Sequence, residues 1–234
     1  MRRSRGALVS AVLLPLLLIV ITPAVQFISL SVGAEQGLDL LTGGPRGPLP
    51  PDLLASPITL FTGFLLPVFL VLGGLVVPST LATYTVVGER ERRSLDLLVA
   101  LPVRVFDILL AKLAATMLVA VLVVVPLFAL DASILLRRGL VDAGHAWQLL
   151  GVLLCALWYS VGQAFLLALL ARDLRTAQNL NGALLLPSST LAAAMLVAAP
   201  PDLRLPAVML ALFFGGIACA LVGMRWLTFE RYLV

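Results

Sequence analysis

The densest group of ionisable side chains in this chain of 234 residues lies at residues 88–94, which read Gly-Glu-Arg-Glu-Arg-Arg-Ser. A largely apolar stretch follows. From Leu95 to Pro102, apolar residues recur at the i, i+3, i+4 and i+7 spacing of one helical face, whereas Glu89, Arg93 and Asp96 lie on another. The pattern predicts a short amphipathic helix that ends or bends at Pro102, because proline lacks the N–H that a helix needs. Such a helix could be an anchor at the membrane interface, or a helix that a cytoplasmic protein binds and moves. The acidic residues between the arginines favour the second interpretation, because attraction to anionic lipid alone would not select them.

No enzyme motif accompanies this segment in the sequence. The single histidine, His145, excludes the HExxH pair of a zinc protease, and there is no Gly-x-Ser-x-Gly turn. The sole lysine, Lys112, lies between Ala111 and Leu113 rather than in a P-loop. We therefore expect no catalytic residue, metal site or nucleotide site in this chain. We expect His145 to be a solvated residue of an outer loop.

The composition excludes a soluble domain. Hydrophobic residues make up 61% of the chain and charged residues 12%, whereas soluble domains average about 45–50% and about 25%. About 20 apolar residues cross the hydrocarbon core of a bilayer, and the chain offers six such runs. We predict an all-α integral membrane protein with a single transmembrane domain, residues 1–234. Its spans are approximately 8–30, 58–82, 105–130, 147–170, 180–199 and 206–226.

The basic residues predict the orientation of these spans. Six spans place both termini on one side, and twelve of the sixteen Lys and Arg residues fall on that side. The positive-inside rule makes it the cytoplasmic side. Residues 33–57, rich in Gly and Pro, then form an extracytoplasmic loop, and residues 88–104 a cytoplasmic segment between spans two and three. The arginine-rich, lysine-poor composition suggests a high-GC bacterium, so we expect a multi-pass protein of the bacterial cytoplasmic (inner) membrane.

The spans themselves contain no ion relay. We place Asp131, Asp142, Asp173 and Asp202 at span ends or in loops, whereas ion-driven carriers place ionisable groups inside the membrane. With neither a relay nor a nucleotide site, active transport by this chain must draw energy from a partner. Small residues at every fourth position, from Ala156 to Ala168 and from Ala211 to Gly223, predict close helix contacts.

A family resemblance emerges from the charged segment. Residues 89–98 (ERERRSLDLL), 101–103 (LPV) and 108–112 (ILLAK) resemble, in order, the inner-loop signature of type-2 ATP-binding-cassette (ABC) exporter permeases. The sequence departs from that signature at Asp96, where the family usually has Glu, and at Ala111, where it often has Gly. The connection Pro200–Pro206 is also short, so an outer re-entrant segment would have to come from Ser188–Ala199.

The resemblance implies a six-helix permease that pairs with a second permease copy or a close homologue, and with two copies of a separate ABC ATPase subunit. That partner would bind ATP and Mg²⁺, and this chain would contact membrane lipid but no nucleic acid. The resemblance further implies that residues 88–104 contain a coupling helix that docks on the ATPase. The docking residues carried over are Glu89, Arg90, Glu91, Arg92, Arg93, Leu95, Asp96, Leu98 and Pro102.

The resemblance also implies a transport pathway where two copies meet, lined by spans one, two and five. Neutral polar side chains on those spans are the candidate lining groups: Gln26, Thr62, Asn181, Ser188, Ser189 and Thr190. The predicted function is that of a permease subunit of an ABC transporter, which exports a substrate across the cytoplasmic membrane using ATP hydrolysed by a separate ATPase subunit. The alternative is a non-transporting membrane scaffold or biogenesis factor that docks a cytoplasmic partner through residues 88–104.

Overall fold

The computed structural model describes residues 20, 24, 49–82, 105–171 and 174–227, which are helical almost throughout and contain no strand. Helix α1 (Pro57–Leu60) continues through a π-helical segment, Phe61–Leu65, into α2 (Leu66–Ala82). The remaining helices are α3 (Val105–Arg137), α4 (Ala143–Leu170), α5 (Leu174–Ala198) and α6 (Arg204–Leu227), with a 3₁₀ turn at Pro201–Leu203 before α6.

Five helices of the described residues are long and apolar enough to cross a membrane. They run over Pro57–Leu81, Leu110–Arg137, Ala143–Leu167, Arg175–Ala198 and Pro201–Gly223. The prediction of an all-helical, multi-pass membrane protein is therefore confirmed for this part of the chain. The first predicted span, both termini and the predicted coupling helix lie outside the described residues, apart from Val20 and Ala24.

Two short connections set the direction of the helices. Gly139, with φ of +66°, ends α3, and the amides of Gly139 and Leu140 donate to the carbonyls of Leu136 and Leu135. This Schellman arrangement satisfies two carbonyls at the helix end and uses the left-handed conformation that glycine tolerates. The chain can therefore reverse into α4 within residues 138–142. Residues 199–203 join α5 to α6 by an equally short connection of a different kind, a 3₁₀ turn in which the Leu203 amide donates to the Pro200 carbonyl.

Contacts between distant segments align the α1–α2 helix with the others. His145 Nε2 lies 3.4 Å from the carbonyl oxygen of Thr62, and Arg204 forms an ion pair with Asp52. The starts of α1, α4 and α6 therefore lie at one end of the bundle, which we call the upper end. It follows that α2 ends and α3 begins at the opposite, lower end. The charge distribution predicts that the lower end is cytoplasmic.

Helix α4 is the centre of the bundle and packs against α2, α3, α5 and α6. In an apolar stretch of 18 residues, 61% of α4 is buried within the bundle, compared with 17% for the corresponding stretch of α5. Several residues of both predicted series of small residues lie at its interfaces. Ala156, Ser160 and Ala164 are buried, and in the second series Gly215 and Gly223 contact Tyr159 and Phe165 of α4. The prediction of close contacts at these positions is confirmed.

The structure also decides the outer connection that the sequence left open. Residues Ser188–Ala198 continue α5 without a break, although Pro187 lies within the helix. A re-entrant segment is therefore absent from the described residues between α5 and α6. Helix α3 runs seven residues past the predicted end of its span, to Arg137.

We predict that Gly74→Ala destabilises the bundle. An added Cβ would lie 2.7 Å from Ala156 Cβ and 3.3 Å from the Leu153 carbonyl oxygen, so α2 and α4 would have to separate. Overpacking of this kind costs about 1–3 kcal/mol in the free energy of unfolding, measurable by thermal unfolding in detergent. The matched control is Gly182→Ala on α5, where an added Cβ meets open space. It should be neutral or gain up to about 1 kcal/mol from helix propensity. Equal effects of both substitutions would contradict the close-packing interpretation.

Candidate functional site

The predicted docking residues and Gln26 lie outside the described residues, so the structure describes the surroundings of the docking segment rather than the segment itself. Helix α2 ends at Ala82 and α3 begins at Val105, both at the lower end. Residues 88–104 therefore connect α2 and α3 in the sequence at this end of the bundle.

A buried chain of polar groups ties α2 to α4 and α5 near the lower end. Ser79 Oγ donates to the Leu75 carbonyl at 2.7 Å, and Ser160 Oγ of α4 donates to the same carbonyl at 2.5 Å. Asn181 Nδ2 of α5 donates to Ser79 Oγ at 2.9 Å. Pro78 lies beside this group and lacks an N–H, which leaves the Gly74 carbonyl, four residues earlier, without its helical donor. We call Ser79, Ser160, Asn181 and the Leu75 carbonyl the polar clamp.

One hydrogen-bond acceptor in the polar clamp has no donor among the described residues. Asn181 is only 7% exposed, and its Oδ1 has no hydrogen-bond partner among the described residues. A buried carbonyl oxygen without a partner costs about 1–3 kcal/mol. Asn181 therefore has capacity for one further hydrogen bond from a donor.

The other predicted pathway residues on α5 form hydrogen bonds within their own helix. Ser188 Oγ donates to the Leu184 carbonyl, and Ser189 and Thr190 donate to the Leu186 carbonyl. Ser188 also bonds Tyr159 Oη of α4 at 3.0 Å, beside a cavity of about 170 Å³ between α4, α5 and α6. Thr190 is exposed, whereas Ser188 and Ser189 are half-buried.

The structure does not gather the predicted pathway residues into one site. Thr62 lies in the π-helical segment at the upper end and donates to the Ile58 carbonyl. Asn181 contacts Ser79, which is seventeen residues further along the α1–α2 helix, or about 25 Å at the rise of an α-helix. Thr62 and Asn181 thus lie near opposite ends of the bundle. If all these residues line one pathway, it must run the length of the helices.

A polar cleft of about 400 Å³ opens at the upper end, lined mainly by Gly63, His145, Gln148, Asp202 and Arg204. The prediction that His145 is a solvated loop residue is wrong, because it lies in the first turn of α4 and is half-buried against Thr62. Placing Asp131 at a span end is also wrong. It lies inside α3, six residues before Arg137, and one of its carboxylate oxygens is buried without a hydrogen-bond partner among the described residues.

Arg204, which lines this cleft, also forms an ion pair. Arg204 is 7% exposed, and its Nη1 lies 2.6 Å from Asp52 Oδ2, while its Nε donates to the Ala199 carbonyl. The hydrogen bond from Arg204 lowers the pKa of Asp52 below its ordinary value. The pair fastens residues 49–56, which precede α1, to the start of α6.

The sequence did not identify Ser79, Tyr159 or the Asp52–Arg204 pair. Ser79 could have been found as a polar residue in an otherwise apolar span, where its hydroxyl must bond within the protein. Ser160 belongs to a predicted series of small residues, and that pattern gives no sign of its hydrogen bond. Within the described ranges, three or more His, Cys, Asp or Glu side chains never come together as metal ligands.

Comparison with known families gives one match. A family model described as ABC-2 family transporter protein matches residues 47–214, which is most of the chain. The matched range begins before α1, includes residues 88–104 and ends within α6. No curated protein and no solved structure matches the chain significantly.

We predict that Asp52→Asn removes a pH-dependent part of the stability. Because folding lowers the pKa of Asp52, its stabilising contribution is fully present above its unfolded value of about 3.9 and disappears as the pH falls through the lower folded value. The melting temperature of Asp52→Asn in detergent should fall below that of the unmodified chain at pH 6–7. The difference should shrink as the pH falls below about 4 and should vanish only below the lower pKa of the folded state.

The control for this prediction is the same change at the exposed Asp202 of the cleft. If Asp202→Asn shows an equal, equally pH-dependent loss, the effect does not come from the pair with Arg204.

Proposed function

Because the chain belongs to the ABC-2 family of transporter proteins, we propose that it is the membrane subunit of an ABC exporter powered by a separate ATPase. Family membership makes it a transport permease and implies association with an ABC ATPase subunit in general. The single observation that carries the proposal is the match over residues 47–214. The export direction, two ATPase copies and a second permease copy, identical or homologous, are parts of the proposal. So is a location in the bacterial inner membrane.

The energy for transport comes from the partner in this proposal. The sole lysine lies outside any P-loop motif, so ATP and Mg²⁺ are assigned to the ATPase subunit, and this chain is not itself an enzyme. Its task is to convert a movement of that partner into a movement of its own helices.

In this proposal, the polar clamp transmits the movement from α2 to α5. A partner docked on residues 88–104 pushes the lower ends of α2 and α3. Ser79 lies three residues from the end of α2 and is bonded to Asn181 of α5. A displacement of the end of α2 therefore acts directly on the lower part of α5. Pro78 gives α2 a point at which it can bend, because one helical hydrogen bond is already missing there.

The cargo that best fits this arrangement is amphipathic. Helix α5 is the least buried of the five membrane-crossing helices and carries four of the proposed pathway residues: Asn181, Ser188, Ser189 and Thr190. Their hydroxyl and amide groups are neutral. We propose that α5 borders the pathway and that the open Oδ1 of Asn181 accepts a hydrogen bond from a hydroxyl or amine of the cargo during transport.

We predict that Glu89→Ala with Glu91→Ala reduces the ability of the chain to change the ATP turnover of a co-purified ATPase. The two glutamates are proposed contacts with that partner. A loss of about tenfold would fall within the 1–3 kcal/mol typical of coupling between sites. The measurement is ATPase activity in nanodiscs, after co-purification from the native host.

The matched control is Asp142→Ala, an exposed acid at the upper end whose side chain makes no helix-capping bond. It should leave both binding and turnover unchanged. If no ATPase co-purifies with the chain under gentle conditions, the exporter assignment is refuted. Loss of binding with no change in turnover would favour the scaffold alternative.

We predict that Ser79→Ala leaves the ATPase bound but reduces the change in turnover that the permease causes. The substitution removes the group that Asn181 contacts and one donor to the Leu75 carbonyl. The matched control is Ser133→Ala, an exposed serine of α3 whose hydroxyl bonds the Leu130 carbonyl of its own helix. Equal turnover in both variants, at equal bound ATPase, would contradict a coupling role for the clamp.

A further inference from the structure

The polar cleft at the upper end has a volume of about 400 Å³, within the roughly 300–1,000 Å³ typical of ligand pockets. Four of its described lining side chains are polar, and they come from the beginnings of α4 and α6 and from the turn before α6: His145, Gln148, Asp202 and Arg204. The proposed transport function assigns no role to these four side chains.

Arg204 supplies a positive charge to the wall of the cleft. Its side chain is only 9% exposed, with Nη1 paired to Asp52 and Nε donating to the Ala199 carbonyl. Its Nη2 has no hydrogen-bond partner among the described residues. A guanidinium held on two sides in this way is already oriented, and its remaining N–H groups suit the oxygen atoms of a phosphate.

The other polar side chains of the cleft supply hydrogen-bond acceptors. Asp202 is exposed and provides a carboxylate. His145 Nε2 lies 3.4 Å from the Thr62 carbonyl oxygen, which can only accept. A neutral His145 in this contact therefore carries its proton on Nε2 and leaves Nδ1 as an acceptor. The amide of Gln148 can both donate and accept.

The charges of the cleft select the kind of ligand. Arg204 carries one positive charge, whereas Asp52 and Asp202 carry one negative charge each. A simple anion would meet an excess of negative charge, and a simple cation would meet the buried guanidinium. A zwitterion complements both signs, since its anionic group can face Arg204 and its ammonium group can face Asp202.

The level of the cleft indicates where such a zwitterion comes from. Its residues lie where the membrane-crossing parts of α4 and α6 begin, which places them near a membrane surface. Trp147, next to Gln148 in the sequence, is 71% exposed, and exposed tryptophans are typical of the lipid headgroup level. Leu203, next to Arg204, is 56% exposed and adds apolar surface for acyl chains.

We propose that this cleft binds the headgroup of an ethanolamine phospholipid. The phosphate accepts hydrogen bonds from Arg204, and the primary ammonium donates to Asp202, with His145 and Gln148 as further partners. A choline headgroup has the same charges but no N–H group to donate, so the cleft distinguishes the two. Binding requires neither ATP nor a partner subunit, and the proposal does not depend on the exporter assignment.

Competition between lipids with identical acyl chains tests this proposal. The full-length chain in detergent is mixed with equal amounts of phosphatidylethanolamine, phosphatidylcholine, phosphatidylglycerol and diacylglycerol, and the bound lipids are counted by native mass spectrometry. Contacts of the acyl chains with apolar helix surfaces are equal for all four lipids. The first bound lipid should be phosphatidylethanolamine, by about threefold or more over each of the others, as expected for one exposed ion pair.

Asp202 and Asp142 form a matched pair of variants. Both are exposed acids at the upper end, but of the two only Asp202 is a described lining residue of the cleft. Asp202→Asn should remove the preference for ethanolamine over choline. It should also increase the share of phosphatidylglycerol, because an anionic headgroup then meets less negative charge. Asp142→Asn should leave all ratios unchanged. Arg204 is kept in both variants, because it also holds Asp52.

Glycerophosphoethanolamine, which carries the same zwitterion without acyl chains, separates a lipid from a soluble ligand. It should displace phosphatidylethanolamine only in large excess, because it makes no contact with the exposed surface of Trp147 and Leu203. Displacement at an equal concentration would overturn the lipid as the source of the headgroup.

Three further results would overturn the proposal. The first is equal binding of the ethanolamine and choline lipids, and the second is an equal change of the ratios in Asp202→Asn and Asp142→Asn. The third is binding without preference among the four lipids, which is expected if another part of this chain fills the cleft.

Discussion

Inside a membrane no water is available to a polar side chain, so its hydroxyl or amide must find a hydrogen-bond partner within the protein. Ser79, Ser188 and Thr190 bond carbonyls of their own helices, at Leu75, Leu184 and Leu186. Ser160 of α4 also donates to the Leu75 carbonyl of α2, and Asn181 of α5 donates to Ser79. These last two bonds join three helices inside an apolar bundle.

Such bonds require helices that approach closely, and the small residues of α4 and its neighbours provide that approach. Gly74 of α2 contacts Ala156, and Gly216 of α6 contacts the ring of Trp158. Between helices in lipid, packing and hydrogen bonds replace the hydrophobic driving force available to soluble proteins. The glycines therefore let α4 occupy the centre of the bundle and bring its side chains, including those of the polar clamp, close to neighbouring helices.

The two ends of the bundle differ in the kind of contact that holds them. At the upper end, the Asp52–Arg204 ion pair fastens the segment before α1 to α6 beside a polar cleft. At the lower end, the polar clamp joins α2 and α5 through neutral hydrogen bonds. Asp52 is exposed, so water screens the ion pair and limits its contribution to stability, whereas the groups of the polar clamp are buried. The lower-end contact is therefore the one that depends more closely on how the helices pack.

The sequence by itself determined the membrane class, the helical architecture and the family, because these follow from the length of apolar runs and from spaced motifs. It also indicated which small residues lie at helix contacts. Only the tertiary structure decided that Asn181 contacts Ser79, that Thr62 lies far from both, and that His145 and Asp131 belong to helices. The reason is physical. Periodicity and composition indicate whether a segment is helical and which of its faces is apolar. How two helices are rotated and shifted relative to each other depends instead on packing contacts between residues far apart in the chain.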